Sequence, residues 1–255
     1  MIDNNIISIF FASLIQGFTE FLPISSSGHL VLFNYLFSQP KDSLDFEIIL
    51  HFGTILSIIV YYKNDIFEII FNVSNKKDFR YVSYLIIGCI PISIVGFIFK
   101  DSIEQNFNNI SILPITFLIS FVMIFLTKFK YPKRDFTFKI IAVMSIFHIL
   151  ALLPGISRSG MTISSLIILG IPFKESVKLS FLMAIPLIMG ATFLSIDFSN
   201  FNYLLIKHSL LGIIFSFLAG LFAIYLTNYF LINKKYWLFS IYCFLMAILT
   251  YFINQ

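Results

Sequence analysis

The sequence predicts an all-α polytopic membrane protein, with six transmembrane helices and two re-entrant helical hairpins arranged as an inverted-topology repeat. The first observation behind this prediction is composition, since 58% of the 255 residues are hydrophobic and 12% are charged. That charged fraction is about half that of a soluble domain, and a soluble globule of this length could not bury so much apolar surface. The composition therefore excludes a soluble domain, a disordered chain, a coiled coil, a disulfide-rich secreted scaffold and a nucleic-acid-binding protein.

Six apolar runs are long enough to cross a bilayer, whose hydrocarbon core needs about 20 helical residues. We expect all six to belong to a single integral membrane domain that covers residues 1–255. The predicted spans lie at about 45–62, 81–99, 112–128, 176–196, 210–232 and 236–253.

Two further apolar runs, 5–37 and 137–170, are interrupted near their middles by proline, glycine and serine. The first interruption reads LPISSSGH over 22–29, and the second reads LPGISRSG over 153–160. Proline removes a backbone donor and glycine costs helix entropy, so both segments are expected to break a helix. Such a break at membrane depth is tolerated only where protein or a polar cavity surrounds it. Each run is therefore predicted to form a hairpin that enters and leaves the membrane on one side.

The basic residues predict the orientation of the chain, because Lys and Arg concentrate on the cytoplasmic side of membrane proteins. Thirteen of the 17 basic residues fall in four segments that the spans place on one side, at 63–80, 128–139, 171–178 and 233–235. If that side is cytoplasmic, both termini lie outside. The first hairpin then enters from outside, and the second enters from the cytoplasm.

The two hairpins resemble each other when Ser25 is aligned with Ser157, since the sequences that follow read SSSGH and SRSGM. Weak internal similarity with opposite orientation is typical of an inverted-topology repeat, whose site lies near the bilayer midplane between broken helices. We expect repeat one at about 5–128 and repeat two at about 137–253. The alternative is a chance similarity between two breaks rich in proline, glycine and serine.

Four polar side chains stand out in these apolar surroundings: Gln16, Glu20, His29 and Arg158. Gln16 and Glu20 are four residues apart and share one face of a helix. A charge at the bilayer centre costs at least about 2.5–3.5 kcal/mol, so Glu20 and Arg158 each need a partner. An ion pair that pins the hairpins together is the purely structural interpretation, and it leaves His29, the serines and the glycines without a role.

The other interpretation is a site for a phosphate group. A new helix begins after each break, and a helix N-terminus offers N–H groups and partial positive charge. Gly28 and Gly160 let the backbone approach a bound group closely, and the guanidinium of Arg158 matches phosphate oxygens. The predicted phosphate-binding residues are Ser25, Ser27, Gly28, Ser157, Arg158, Ser159 and Gly160.

Ser26 and His29 are candidates for catalysis at this site. They are three residues apart, close enough for a hydroxyl to meet an imidazole, and a serine nucleophile needs a neighbouring base. Glu20 could orient His29, take a proton, or hold a divalent cation together with Gln16. These residue types alone leave catalysis and simple binding open.

Other reactive side chains receive structural interpretations. His51 and His148 lie in apolar runs and are predicted to pack between helices. Cys89 and Cys243 also lie in apolar runs, without a CxxC pattern, and are predicted to be core or lipid-facing thiols.

Two motifs resemble those of a known family. Residues 16–29, QGFTEFLPISSSGH, are similar to the first signature of the bacterial undecaprenyl-diphosphatase family, the bacitracin-resistance proteins. Residues 153–160 resemble its second signature, and 181–191, FLMAIPLIMGA, also look like that family. The resemblance covers essentially the whole chain.

The resemblance implies a phosphatase of the bacterial cytoplasmic membrane whose site opens to the outer face. Such an enzyme would hydrolyse undecaprenyl diphosphate to undecaprenyl phosphate and inorganic phosphate. It would thereby recycle the lipid carrier of cell-wall synthesis and confer bacitracin resistance. The family also implies a divalent cation, Mg²⁺ or Ca²⁺. The expected partners are undecaprenyl diphosphate and membrane lipid, with a homodimer left open.

The family's site residues carry over to this sequence one by one. Ser26 matches the proposed nucleophile, and Arg158 matches the phosphate-binding arginine. Glu20 and His29 match essential acid, base or metal-linked groups. Gln16 stands where the family has Glu or Gln, so the predicted metal pair of Glu20 and Gln16 contains one carboxylate. We hypothesise a phosphorylated Ser26 with His29 as base, and direct attack by water remains the alternative.

Two other classes of protein share some of these features. Type-two phosphatidic-acid phosphatases also use Ser-Gly-His and Ser-Arg, but they need a KX6RP motif and a His six residues after the Arg. Here no KX6RP precedes Ser26, and residue 164 is Ser. A transporter or flippase for a polyprenyl phosphate would share the broken helices and would bind without cutting. The serine–histidine pair favours a hydrolase over a transporter.

Overall fold

The computed structural model of the protein describes residues 4–37, 43–72, 75–107, 109–195 and 203–255, and all regular secondary structure in those ranges is helical. The α-helices are α1 (Asn4–Phe21), α2 (Ser26–Phe37), α3 (Ser43–Tyr61), α4 (Lys63–Phe71), α5 (Lys76–Ile98), α6 (Lys100–Phe107), α7 (Leu113–Leu126), α8 (Phe138–Ile149), α9 (Arg158–Ile168), α10 (Phe173–Ser195), α11 (Tyr203–Ile232) and α12 (Leu238–Ile253). Two 3₁₀ turns, Ile110–Ile112 and Leu150–Leu152, precede α7 and follow α8.

Several of these helices meet the requirements of a bilayer. Within the described ranges, three segments are both long and apolar enough to cross a membrane, and shorter apolar helices accompany them. The three are Asp78–Ile98, Phe173–Thr192 and Leu210–Ile232. On α5, Ile86, Ile90 and Ile94 form an exposed apolar row, which suits contact with lipid rather than with water. The chain is thus an all-helical, multi-pass membrane protein, as predicted.

The connections differ in one respect from the prediction. The segment 63–80 is predicted as a loop, but it contains α4 and the beginning of α5. Phe67, Ile70 and Phe71 are exposed on α4, while Lys and Asp occupy its first turn. Short amphipathic helices of this kind are typical of the membrane surface.

Both predicted interruptions are present. The first run is divided into α1 and α2 by residues 22–25, and the second run is divided into α8 and α9 by residues 150–157. The second interruption begins earlier than the proline because a 3₁₀ turn tightens the end of α8. Each interruption therefore places the start of a new helix inside the apolar part of the chain.

Small residues bring α1, α3 and α11 into close contact. A Cβ added at Gly17 or Gly53 would collide with backbone atoms of α11 near Ser216. The Ser216 hydroxyl donates to the Leu50 carbonyl at 2.9 Å, and the Ser57 hydroxyl donates to the α11 backbone at 2.8 Å. Small residues and hydroxyl bonds of this kind hold membrane helices together. This packing fixes α3 against the helix that carries Glu20.

The two interrupted helices pack in a reciprocal way. α1 lies against α11, a helix of the second half of the chain, whereas α8 lies against α5, a helix of the first half. α7 and α12 pack against each other, and α9 contacts α7, α8 and α10. Below the first break, Phe21 meets Phe181 edge to face with ring centres 5.2 Å apart, in the largest buried apolar cluster. The breaks therefore lie where helices from the two halves of the chain pack together.

Candidate active site

The first break positions Ser26 by placing a capping serine directly before α2. The Ser25 hydroxyl accepts a hydrogen bond from the Gly28 N–H at 3.2 Å, as a helix N-cap does. Ser25 adopts a left-handed backbone with φ of 71°, a conformation that costs a non-glycine residue about 1–2 kcal/mol. Strain of this kind persists where the surroundings enforce it, and here it sets the direction in which Ser26 begins the helix.

The second break uses the same capping bond to position Arg158. The Ser157 hydroxyl accepts from the Gly160 N–H at 3.0 Å, so Arg158 is the first residue of α9. The left-handed backbone falls on Gly155, with φ of 90°. Ser120 of α7 braces this turn, because its hydroxyl donates to the Gly155 carbonyl and accepts from the Ser157 N–H, both at 3.1 Å.

The tips of the two breaks are in contact. A Cβ added at Gly28 would lie 2.8 Å from the Cα of Gly155, so the two backbones touch with no room for a side chain. The Ser159 hydroxyl of the second break also donates to the Leu22 carbonyl of the first at 3.4 Å. The predicted meeting of the two serine-rich tips is therefore observed.

Glu20 is the centre of the polar cluster between these tips. Its Oε1 accepts a hydrogen bond from Arg158 Nη2 at 2.5 Å, while its Oε2 accepts from the Ser26 hydroxyl at 2.8 Å and from Gln16 Nε2 at 3.1 Å. The second guanidinium nitrogen, Nη1, donates to the Ser180 carbonyl at 3.4 Å. Glu20 is buried, and a buried carboxylate requires such partners. One carboxylate thus joins the predicted nucleophile to the predicted phosphate-binding arginine.

The contacts of His29 differ from the predicted pairing with Ser26. His29 Nδ1 is 2.6 Å from the Ser25 carbonyl, and Nε2 is 2.6 Å from the Tyr242 hydroxyl, whose ring stacks on the imidazole. A carbonyl can only accept, so Nδ1 carries a proton, and in the neutral imidazole Nε2 then accepts from the Tyr242 hydroxyl. The pairing fails because helical side chains lean toward the N-terminus. The imidazole therefore lies over the Ser25 carbonyl, and the Ser26 hydroxyl reaches Glu20.

The predicted phosphate-binding residues lie at the two breaks, where each following helix begins. The N–H groups of the two glycines among them already donate hydrogen bonds within the protein. The Gly28 and Gly160 N–H groups donate to the capping serines, so in this arrangement they serve the caps. At each break, two serine hydroxyls lie 3.3 Å apart. These hydroxyl pairs are Ser25 with Ser27 and Ser157 with Ser159. The contribution of the glycines in this structure is the close approach of the tips.

Two site residues were missed from the sequence, His51 and Tyr242. His51 was interpreted as a packing residue, but its Nδ1 lies 2.9 Å from Gln16 Nε2 and 3.8 Å from Glu20 Oε2. The signal available was that an ionisable residue inside an apolar span is a candidate functional group by default. Tyr242 gave no comparable signal, because it is one of 12 tyrosines in an aromatic-rich chain. The packing interpretation does fit His148, whose Nδ1 is 3.1 Å from the Gly88 carbonyl.

The donor atoms beside Glu20 fit a divalent cation. Gln16 Oε1 is buried and has no hydrogen-bond partner among the described residues, and the O and N atoms of an amide exchange places by rotation. Rotation would turn this oxygen toward Glu20 Oε2, an oxygen pair that suits Mg²⁺ or Ca²⁺. Among the described residues no three His, Cys, Asp or Glu side chains form a metal-binding group, so the cation site depends on the Gln16 amide.

The fold and this site define a class of protein: a multi-pass helical membrane protein in which two broken helices hold a buried acid, a serine and an arginine in one cluster. Residues 9–249 match the family described as bacitracin resistance protein BacA. The chain belongs to this family, which confirms the resemblance found in the two motifs.

Several relatives match along nearly the whole chain, and each bears the name undecaprenyl-diphosphatase. The relative from Thermosipho africanus is 39% identical over 247 residues, covering 94% of this chain and 97% of the relative. A relative from Methanococcus maripaludis strain C5 is 37% identical over 242 residues, covering 92% and 94%. One from Thermotoga petrophila is 34% identical over 245 residues, covering 94% and 98%.

Proposed function

We propose that this protein is a membrane phosphatase that hydrolyses undecaprenyl diphosphate to undecaprenyl phosphate and inorganic phosphate. Its activity returns the lipid carrier to cell-wall synthesis and confers resistance to bacitracin. The family and the names of the relatives support this function. The single observation that carries it in the structure is that Glu20 bonds both Ser26 and Arg158 between the two breaks.

The proposed arrangement in the bacterial cytoplasmic membrane is six spans and two re-entrant hairpins, with both termini and the opening of the site on the outer face. The reciprocal packing of α1 on α11 and of α8 on α5 supports an inverted repeat of about 5–128 and 137–253. The shared capping pattern of the two breaks supports it as well. A homodimer stays a prediction.

In the proposed mechanism the diphosphate enters between the breaks while its prenyl chain stays in lipid. Arg158 neutralises oxygens of the terminal phosphoryl group as charge develops on them. Ser26 Oγ attacks the terminal phosphorus, the bond from phosphorus to the bridging oxygen breaks, and undecaprenyl phosphate leaves. Glu20 Oε2, 2.8 Å from the hydroxyl, takes the Ser26 proton. Water then attacks the phosphorus, the bond from phosphorus to Ser26 Oγ breaks, Glu20 returns its proton to Oγ, and phosphate is released.

Glu20 replaces His29 as the base for Ser26 in this mechanism, because Glu20 is the group that touches the hydroxyl. Both nitrogens of His29 are engaged, and Nε2 becomes available when the Tyr242 hydroxyl withdraws. We assign His29 to the second step, in which it accepts the proton of the attacking water through Nε2. Full turnover by Ser26→Ala would rule out the covalent route in favour of direct attack by water.

Glu20 and Gln16 are the residues proposed to hold the divalent cation, Mg²⁺ or Ca²⁺ by family resemblance. When bound there, such an ion supplies positive charge beside the phosphoryl oxygens. Because the amide of Gln16 is uncharged, Glu20 and Gln16 together offer the cation one negative charge, whereas two carboxylates would offer two.

The decisive test is phosphate release from undecaprenyl diphosphate by the purified protein in detergent. Arg158→Ala and Glu20→Ala are each expected to lose activity about a hundredfold or more, since each removes a group that stabilises charge in the transition state. Arg134→Ala, in an exposed segment far from the breaks along the chain, serves as the matched control and should stay active. Full activity of both site variants would remove this site from the reaction. Lipid movement across vesicles without phosphate release would favour a transporter instead.

A further inference from the structure

We propose that His51 is a third protein ligand of the divalent cation and that it makes this site bind Mn²⁺ more tightly than Ca²⁺. The inference deepens the proposed function, because it rests on Glu20 and Gln16 holding a cation in the same site. It adds a residue from α3, a helix that neither sequence motif includes.

Three potential metal ligands, on Gln16, Glu20 and His51, lie close together. Gln16 Nε2 lies 3.1 Å from Glu20 Oε2 and 2.9 Å from His51 Nδ1. Glu20 Oε2 and His51 Nδ1 are 3.8 Å apart. If the Gln16 amide rotates, its oxygen takes the position of Nε2. Ligands bound at about 2.1 Å to one ion and at right angles to each other lie about 3.0 Å apart. Two of the three separations match that spacing, and the third, 3.8 Å between Glu20 Oε2 and His51 Nδ1, corresponds to a wider angle of about 130° at the same ion.

The Gln16 side chain has a buried oxygen without a hydrogen-bond partner among the described residues. With the amide as placed, its N–H groups point at Glu20 and His51, and its carbonyl oxygen is buried without a partner. A buried acceptor without a hydrogen bond is costly and rare. Rotating the amide exchanges the two atoms and gathers three acceptors, Oε1, Oε2 and Nδ1, around one point. When His51 Nδ1 carries no proton, three acceptors in that arrangement repel one another unless a positive ion lies between them; a protonated Nδ1 would instead donate to Gln16 Oε1 and leave no metal ligand there.

The hydrogen bonds of Glu20 limit which ion this site prefers. Arg158 occupies Oε1 and the Ser26 hydroxyl bonds Oε2, so the position on Oε2 that Gln16 Nε2 leaves when the amide rotates is the one open to a metal. Ca²⁺ prefers six to eight oxygen ligands and often takes both oxygens of a carboxylate. A set of one carboxylate oxygen, one amide oxygen and one imidazole nitrogen is poor for Ca²⁺, whereas first-row transition ions accept imidazole readily. Mn²⁺ is the member of that group which also accepts oxygen ligands well.

Pulsed electron paramagnetic resonance of Mn²⁺ bound to the purified full-length chain tests the proposal. We expect a coupling from one directly bound nitrogen, which changes when the chain is made with ¹⁵N-labelled histidine. His51→Gln should lose the coupling, and the ratio of Ca²⁺ to Mn²⁺ dissociation constants should fall about tenfold or more, the scale of losing a group that supports a metal site. His148→Gln, a buried histidine bonded to the Gly88 carbonyl, should keep the coupling. The isotope substitution leaves the protein unchanged and labels all four histidines, so a missing isotope effect would overturn the proposal even if His51→Gln fails to fold.

Absence of bound Mn²⁺, bound Mn²⁺ without a nitrogen coupling, or a coupling that persists in folded His51→Gln would each overturn the proposal. Phosphate release from undecaprenyl diphosphate, measured on the same preparation, separates it from the proposed function. Hydrolysis without a histidine coupling overturns only the role of His51. A His51-dependent coupling in a protein that releases no phosphate supports the metal site and contradicts the phosphatase.

Discussion

At the scale of single residues, the site is organised by one buried carboxylate with partners on both sides. Glu20 bonds Arg158 through one oxygen, and Ser26 and Gln16 through the other. Removing one partner of a buried ion pair costs about 3–5 kcal/mol, because the remaining charge stays buried. Glu20 and Arg158 therefore stabilise the contact between the hairpins as well as carrying the proposed reaction, and the structural and catalytic interpretations both apply.

Tyr242→Phe tests whether the position of His29 matters for turnover. The change removes the hydroxyl that donates to Nε2 and keeps the ring that stacks on the imidazole. Tyr242→Phe frees Nε2 but loses the bond that holds the imidazole in place, worth about 0.5–1.5 kcal/mol. We expect the loss of positioning to outweigh the release of Nε2, so kcat for phosphate release should fall about two- to tenfold with KM nearly unchanged. Tyr251→Phe, an exposed tyrosine of the same helix, is the control. Equal kcat values for the two variants would contradict a positioning role.

The residues of the cluster were predictable where a charge stands in an apolar run. Glu20 and Arg158 each needed a partner, and this requirement, together with the inverted-repeat pattern, predicted a site between the two breaks. The bond from Ser26 to Glu20 was not predictable, because it depends on where α2 begins and on the direction in which its first side chain leans. Tyr242 reaches His29 across 213 residues of sequence, and no local pattern encodes such a tertiary contact.

At the scale of elements, the two breaks are built from the same parts. Each ends in a serine whose hydroxyl caps the following helix, and each has one residue with a left-handed backbone. Proline, glycine and serine inside an apolar run predicted the interruptions. The sequence did not predict α4 or the bracing of the second break by Ser120, because a surface helix and an interhelical hydroxyl bond depend on the surrounding helices.

Gly28→Ala tests the contact between the tips. The added methyl group would lie 2.8 Å from the Cα of Gly155 and 2.9 Å from the Phe117 ring, and overpacking of this kind costs about 1–3 kcal/mol. We expect a lower thermal midpoint in detergent and at least a tenfold loss of phosphate release, because separating the tips moves Ser26 away from Arg158. Gly190→Ala is the matched control, since nothing lies within 4 Å of the added methyl group. If Gly28→Ala behaves like Gly190→Ala, the tips do not need to touch.

At the scale of the whole molecule, apolar composition and helix length predicted a multi-pass membrane protein, and the helices agree with that prediction. The number of spans and the side of each loop depend on where the bilayer lies relative to the helices. The proposed orientation therefore rests on the distribution of Lys and Arg, together with the reciprocal packing of the interrupted helices.

Cysteine labelling in intact cells tests the proposed orientation. Lys133→Cys, between α7 and α8, should resist a membrane-impermeant thiol reagent until the cells are opened, whereas Gln255→Cys at the C-terminus should react at once. Both positions are exposed. The native cysteines Cys89 and Cys243 are buried, as predicted for core thiols, so the unchanged chain provides the background control. The reverse labelling pattern would place the termini in the cytoplasm.

The matching caps of the two breaks place different side chains at equivalent positions. The first helical residue after one cap is Ser26 and after the other is Arg158, so equivalent positions present a nucleophile and a cation. The acid lies beside only one of these positions, since Leu152 is the counterpart of Glu20 when the caps are aligned. Two breaks with matching caps and unequal side chains therefore divide the work: the nucleophile and its base come from the first, and the phosphate-binding cation comes from the second.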